Sequence, residues 1–155
     1  HCYSQNLGNE LKKSFKTYLY DLGIRNALLK DFSKPGDRAD RGVLLESFVF
    51  LRLQSLLKPN MEIKFWRTRD GDEVDFILLA DRRPLPIEAK SRLKPGEIPK
   101  GMKRFLGRYR KVKRALLVSD RSFPSFRYDS CLIQCISFEE FGQTEDLETQ
   151  YFETA

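Results

Sequence analysis

Acidic and basic side chains interrupt two adjoining apolar runs of this sequence at spacings that suit chemistry. The first run, residues 73–79, carries Asp75, and the second, residues 85–90, carries Glu88 and Lys90. Both runs are typical of β-strands, whose side chains alternate between two faces. A buried charge is costly unless it is paired or bound to a metal. These charged positions are therefore the main indication of function in the chain.

Strand alternation predicts which side chains share a face. It places Asp75 opposite its apolar neighbours, namely Val74, Phe76 and Leu78. It places Glu88 and Lys90 together on one face of the second strand, with the apolar side chains on the other, namely Leu85, Ile87 and Ala89. The two strands therefore present two carboxylates and an ammonium group that need compensation.

A third carboxylate, Glu46, lies in a long helix predicted from residue 41 to about residue 57, with Asp40 as its N-cap. The helix face that carries Glu46 is otherwise apolar, through Val43, Val49, Phe50 and Leu53. A helix packed on the acidic face of the strands can bring Glu46 to Asp75 and Glu88. Three carboxylates suit Mg²⁺ or Mn²⁺, which can activate water and stabilise charge on a phosphodiester. Lys90 can then orient the attacking water or neutralise the developing oxyanion.

The same residues also suit a structural role. Asp75, Glu88 and Lys90 can form an ion-pair set, and Glu46 can reach solvent or an arginine from the edge of its stripe. Strand phase, the Glu-x-Lys spacing and the helix glutamate nevertheless agree with one another. Both interpretations, a metal site and a structural ion-pair set, stay open on the residues alone.

Charge is segregated along the chain, whose net charge is +6. Residues 100–114 contain many basic residues and no acid, whereas residues 139–155 contain acids and no Lys or Arg. A basic helix predicted over residues 99–109 can hold a phosphate backbone. Its candidate nucleic-acid-binding residues are Lys100, Lys103, Arg104 and Arg108. The alternative is a solvated helix face and an acidic tail.

The order of predicted elements favours one mixed α/β (α+β) domain within the 155 residues. From residue 41 onward we expect helix, three strands, helix and two strands. The three strands form an antiparallel meander, and residues 85–119 form a right-handed parallel crossover. A short strand over residues 16–20 and a helix over residues 23–29, capped by Asp21, precede them. Residues 122–128 are expected to be irregular.

Three segments are predicted along the chain. Residues 1–15 are the tail of an upstream segment, residues 16–141 are the folded domain, and residues 142–155 are a frayed acidic tail. No apolar run approaches the roughly 20 residues of a membrane-spanning helix. Three cysteines favour a reducing, cytoplasmic setting. Cys131 and Cys135 can form half of a zinc site, but only His1 and Cys2 could complete it.

The acidic strands carry a family resemblance. Val74-Asp75, then Pro86-Ile87-Glu88-Ala89-Lys90, with a glutamate on a preceding helix, resembles the PD-(D/E)XK nuclease superfamily. The resemblance implies a restriction-endonuclease-like mixed sheet flanked by helices. It implies Asp75 and Glu88 as metal ligands, Lys90 as the catalytic lysine and Glu46 as the helix acid. Val74 stands where the pattern nominally has proline.

One branch is more similar, the C-terminal domain of unknown function of prokaryotic AAA+ ATPases. The resemblance rests on residues 18–29, 42–46, 65–68, 71–76 and 86–90, and covers roughly residues 15–120. It implies an upstream ATPase module. The sequence has no Gly-x-x-x-x-Gly-Lys-Ser/Thr motif, so no ATP site is assigned to it.

Three functions follow as hypotheses. The first is a Mg²⁺- or Mn²⁺-dependent nuclease-like domain that binds DNA and hydrolyses phosphodiesters. The second is a catalytically inactive nucleic-acid- or protein-binding module of the parent ATPase. The third is an assembly adaptor that binds a protein through Phe123-Pro124-Ser125-Phe126 and the acidic tail.

Overall fold

The computed structural model describes Tyr3 and residues 16–152, which form a mixed sheet flanked by helices. The elements in chain order are α1 (Leu22–Leu29), a 3-10 turn (Pro35–Asp37), α2 (Arg41–Ser55), β1 (Met61–Arg67), β2 (Glu73–Ala80), β3 (Arg83–Ala89), α3 (Lys100–Arg108), β4 (Arg114–Ser119), β5 (Phe123–Tyr128), β6 (Cys131–Ser137), α4 (Phe138–Gly142) and α5 (Leu147–Tyr151). None of the helices in this part of the chain has the length and apolar character needed to cross a membrane.

The six strands form one sheet in the order β1-β2-β3-β4-β6-β5. Strands β1, β2 and β3 pair antiparallel, and β3, β4 and β6 pair parallel. Strand β5 then pairs antiparallel with β6 at the far edge. The predicted meander, the parallel step from β3 to β4 and the mixed α/β class are confirmed.

Two apolar cores lie on the two faces of the sheet. Helix α3 covers one face with Met102 and Phe105, which are fully buried. Helix α2 contributes Val49 and Leu53 to the other core, and α5 contributes Tyr151. Burial of this apolar surface is the main stabilising contribution to the fold. The charged site must therefore fit between two packed layers.

The helix starts agree only in part with the sequence. Asp21 caps α1, since its carboxylate accepts the Ile24 N–H at 3.0 Å. Asp40 was expected to cap α2, but its side chain caps nothing. Its carboxylate is instead held by Arg38 at 2.8 Å and by Arg25 at 2.7 Å. Two guanidinium groups compete with the helix N–H groups for the same oxygens, so the predicted cap is wrong.

The expected strand over residues 16–20 is also wrong, because these residues belong to no strand. Side chains hold the segment instead, and the Tyr18 ring stacks on Phe50 with centroids 4.2 Å apart. The predicted tail over residues 1–15 lies outside the described residues, apart from Tyr3. Tyr3 is buried, with ring contacts to Phe105 and Tyr109.

Two segments beyond residue 120 are more ordered than predicted. Residues expected to be irregular form β5, because Phe123 and Phe126 pack against the core while the backbone pairs with β6. The predicted frayed end contains α5, whose Leu147 and Tyr151 are buried. Asp146 starts this helix by accepting the Glu148 N–H at 2.9 Å. The acidic composition of this segment predicted a frayed tail, but Leu147 and Tyr151 lie at helical spacing and anchor the helix in the core.

Helix α3 sits unusually close to the start of β2 at Gly101. A Cβ on residue 101 would lie 1.8 Å from the Glu73 carbonyl oxygen. This oxygen belongs to the backbone, so relief of the clash would require a backbone shift that destabilises the fold. Glycine at this position therefore lets the helix approach the strand that carries Asp75.

Replacing Gly101 with alanine should destabilise the protein. Overpacking of this kind costs about 1–3 kcal/mol and occasionally more. Gly107 in the same helix is the matched control, because a Cβ there meets nothing within 4 Å. Gly107→Ala should instead stabilise by up to about 1 kcal/mol through helix propensity. Urea denaturation of both variants measures the difference, and equal effects would contradict the close packing.

Candidate functional site

A β-bulge sets the direction of Asp75. The β1–β2 register pairs Lys64 with Ile77 but Trp66 with Val74, so two β2 residues stand opposite Phe65 alone. The prediction that Val74, Phe76 and Leu78 share a face is therefore wrong. Val74 packs in the α3-side core, whereas Phe76 and Leu78 pack in the α2-side core. The extra residue breaks the alternation between Val74 and Phe76, and the bulge lies at Asp75.

The β2–β3 ladder ends one residue before the two carboxylates. Its last pair at this end is Phe76 with Ile87. Beyond it, the Asp75 carboxylate accepts the Ala89 N–H through Oδ2 at 3.0 Å. The Glu88 carboxylate accepts the Asp75 N–H through Oε2 at 3.3 Å. Side chains thus replace backbone partners where the strands separate. Each carboxylate accepts a backbone N–H with one of its two oxygens.

The second oxygen of Glu88 faces Lys90. The Lys90 ammonium lies 2.7 Å from Glu88 Oε1, with side chains 43% and 3% exposed respectively. The predicted proximity of these two residues is confirmed. Lys90 therefore stands at the mouth of the site, and Glu88 stands inside it.

The second oxygen of Asp75 faces Lys16, a residue that the sequence did not indicate. Lys16 Nζ lies 3.5 Å from Asp75 Oδ1 and 3.0 Å from Glu46 Oε1. Glu46 also accepts a hydrogen bond from the Tyr18 hydroxyl at 2.5 Å. Helix α2 thus does bring Glu46 towards Asp75, but the two carboxylates meet through a lysine.

Burial raises the pKa of both strand carboxyl groups. For Asp75 the second cause is the negative charge of Glu46, and Lys16 and Lys90 oppose the rise. For Glu88, burial and then the charge of Asp75 raise the pKa to about 7, against the opposing effect of Lys90. The centre therefore carries more negative charge than its surroundings stabilise.

The two lysines respond in the opposite way. Burial acts to lower the pKa of Lys16, but the charges of Asp75 and Glu46 outweigh it and the pKa is raised. Burial also opposes the rise for Lys90, which Glu88 and Asp75 produce. Burial and the hydrogen bond to Glu46 raise the pKa of the Tyr18 hydroxyl, so it stays a neutral donor. Ammonium groups thus supply the positive charge at this centre.

The donor chemistry suits a divalent cation, but the side-chain positions do not. Within the described part of the chain, no three His, Cys, Asp or Glu side chains converge in a way that could hold a metal ion. Asp75 and Glu88 each have one oxygen on a backbone N–H, and their other oxygens face lysines. With Lys16 and Lys90 in these positions, the arrangement does not fit the implied Mg²⁺ or Mn²⁺ ion.

The zinc alternative gains no support. Cys131 and Cys135 are buried free thiols on β6. His1 and Cys2, which would complete a site, lie outside the described residues.

The four candidate nucleic-acid-binding residues are exposed on α3. Lys100 pairs with buried Asp72 at 3.0 Å, and Arg104 pairs with the same carboxylate at 2.5 Å. Lys103 and Arg108 are exposed on the same helix. Since Gly101 rests on the backbone of Glu73, the basic helix begins close to the strand end that carries Asp75.

Sequence reasoning missed Lys16 and Tyr18. Their contacts with Glu46 span 30 and 28 residues, and the chain has 28 Lys and Arg residues in total. Nothing local distinguishes Lys16 from the others. The one available signal was its position two residues before Tyr18, where the first of the stretches that carry the family resemblance begins.

Replacing Glu88 with glutamine should stabilise the protein at high pH. A carboxyl group whose folded pKa is raised loses stability as the pH rises from 4.5, its ordinary value, through about 7. In EDTA, Glu88→Gln should therefore raise the free energy of unfolding by roughly 1–3 kcal/mol at pH 8 and much less at pH 5. The control is Glu62→Gln on β1, an exposed position. A Glu88→Gln effect independent of pH would contradict the assignment.

Two mycobacterial proteins that are similar to this chain are described as uncharacterized. The chain is 33% identical over 87 residues to uncharacterized protein Mb2031c of Mycobacterium bovis and, equally, to uncharacterized protein Rv2008c of Mycobacterium tuberculosis. The aligned region covers 55% of this chain and 20% of each mycobacterial protein. No solved structure matches the chain significantly.

The clearest assignment comes from a family model described as Domain of unknown function (DUF4143), which matches residues 41–140. The match includes helix α2 with Glu46, both acidic strands and the basic helix. It covers well over half of the sequence, so the chain belongs to the DUF4143 family.

Proposed function

We propose that this domain acts on nucleic acids as a nuclease-like module that hydrolyses phosphodiester bonds. The observation that carries the proposal is the centre formed by Asp75, Glu88 and Lys90 where β2 and β3 separate. Two buried carboxylates with raised pKa beside a half-exposed lysine destabilise the folded state, so a purely structural role does not account for them. Such perturbed groups cluster at functional sites.

Each residue has a chemical role in this proposal. Lys90 is partly exposed and can neutralise charge that develops on a phosphate oxygen. Glu88, whose pKa is raised to about 7, can take a proton from an attacking water near neutral pH. Asp75 holds the geometry through its bond to the Ala89 N–H. The PD-(D/E)XK resemblance supports the role of Lys90, whereas it implies Asp75 and Glu88 as metal ligands.

DNA is the proposed substrate, held by helix α3. Lys103 and Arg108 are exposed and can bind phosphates, and Lys100 and Arg104 can add to them at the expense of their pairs with Asp72. The helix begins beside the strand that carries Asp75, so a backbone lying along it would reach the acidic centre.

A second candidate is a binding module without turnover, within a larger protein that carries an AAA+ ATPase. One observation favours it, namely that Lys16 and Lys90 already pair with the carboxylate oxygens that the backbone N–H groups leave free. The larger context is supported by the resemblance and by the small share of the mycobacterial proteins that the match covers. Binding of DNA without cleavage is the outcome that would select this candidate.

Cleavage by the purified protein in Mg²⁺ or Mn²⁺ tests the proposal directly. Single-stranded, double-stranded and branched DNA should be compared. Lys90→Met should reduce the rate by about 100-fold or more, as expected for a group that acts in the transition state, and Asp75→Asn should reduce the rate too, because it alters the group that holds the site geometry. Lys94→Met is the control, because Lys94 is exposed in the loop before α3.

Two results would reject hydrolysis. One is intact DNA in every substrate class with folded wild-type protein. The other is activity that persists unchanged in both site variants, which would trace it to a contaminant. DNA left unbound as well as uncut would favour the adaptor hypothesis over both nucleic-acid candidates.

Salt dependence tests the basic helix separately. The double variant Lys103→Ala/Arg108→Ala should weaken DNA binding at every sequence and reduce the slope of log K against log [salt] by about 2. Arg127→Ala, exposed on β5 at the far edge of the sheet, is the matched control and should change the slope little. An unchanged slope in the double variant would place the phosphate contacts elsewhere.

A further inference from the structure

The acidic centre already holds a cation, and the chain itself provides it. Lys16 Nζ lies 3.0 Å from Glu46 Oε1 and 3.5 Å from Asp75 Oδ1. The Asp75 oxygen is the one that the Ala89 N–H leaves free. We infer that Lys16 is the resident cation of this centre, and that a divalent cation binds Glu46 and Asp75 only in its place.

Lys16 is held from several directions rather than lying loosely on the surface. Its side chain is 22% exposed, and Nζ lies 5.9 Å from the centroid of the Phe65 ring. Tyr18, two residues on, donates to the same Glu46 oxygen and stacks on Phe50. Residues 16–18 therefore form a clip that places an ammonium group between two carboxylates.

An ammonium group and a divalent cation exclude each other at this position. Mg²⁺ needs oxygen ligands at about 2.0–2.1 Å, far shorter than the distances from these oxygens to Nζ. Two positive centres that share the same two oxygens would also repel strongly in a partly buried site. The carboxylates can close on a metal only after Lys16 has moved.

The structure offers a place for the displaced side chain. A cavity of about 280 Å³ adjoins the clip and is lined by Lys16, Thr17, Tyr18 and Tyr20 together with Asp75. Exchange of the two cations thus requires movement of the Lys16 side chain and leaves the sheet intact. The inference deepens the proposed function, on whose acidic centre it rests.

Mn²⁺ binding measured by calorimetry and by electron paramagnetic resonance tests the exchange. Lys16→Met should bind Mn²⁺ at least about tenfold more tightly than the wild type, because a competing charge is gone. Lys16→Arg keeps the charge and should bind as weakly as the wild type. Lys64→Met removes a lysine that lines the same cavity and pairs with Glu62, so it serves as the matched control. Adding Asp75→Asn to Lys16→Met should abolish the gain.

Equal Mn²⁺ affinity of the wild type and Lys16→Met would overturn the inference, as would an equal gain in Lys64→Met. If Lys16→Met does not fold, Lys16→Gln keeps a hydrogen-bond donor without the charge and replaces it.

Cleavage assays on the same variants keep this inference separate from the proposed function. Tighter Mn²⁺ binding by Lys16→Met without cleavage of any DNA would reject hydrolysis and leave the cation exchange standing. Cleavage by the wild type with unchanged Mn²⁺ affinity in Lys16→Met would support hydrolysis and reject the cation exchange.

Discussion

The carboxylate of Asp75 is buried where two strands of the sheet separate, and the site around it is organised by the need to compensate that charge. One oxygen accepts a backbone N–H from the neighbouring strand, and the other faces the ammonium of Lys16. Glu46 pairs with the same lysine, and Glu88 pairs with Lys90. An isolated buried charge is costly, so removal of one member of this set of three acids and two lysines is expected to affect the charges of the others.

Two departures from regular packing make that arrangement possible. The bulge opposite Phe65 marks the point where β2 loses its alternation, and it sits at Asp75. Gly101 lets the basic helix lie directly on the backbone of Glu73, two residues before that carboxylate. Bulges and close glycine contacts commonly occur beside functional sites, where they re-aim a side chain. Here both occur within the same short stretch of β2.

Periodicity was sufficient for the regular parts of the fold. The strands around Glu88, the meander and the parallel step to β4 follow from alternation and from short turns. The bulge at Asp75 could not be predicted from alternation, because the extra residue does not change the strand-like composition of β2. Lys16 could not be found because its contacts depend on how α2 packs on the sheet. Asp40 was misassigned because nearby arginines, rather than helix N–H groups, take its oxygens.

The central claim is that this acidic centre is a cation-binding site whose present cation is a lysine. Anomalous diffraction from crystals of Lys16→Met grown with Mn²⁺ tests it most directly. The account predicts a single anomalous peak within about 2.2 Å of Asp75 Oδ1, with Glu46 as a second ligand. No peak at Asp75, with Mn²⁺ bound elsewhere or not at all, would contradict it.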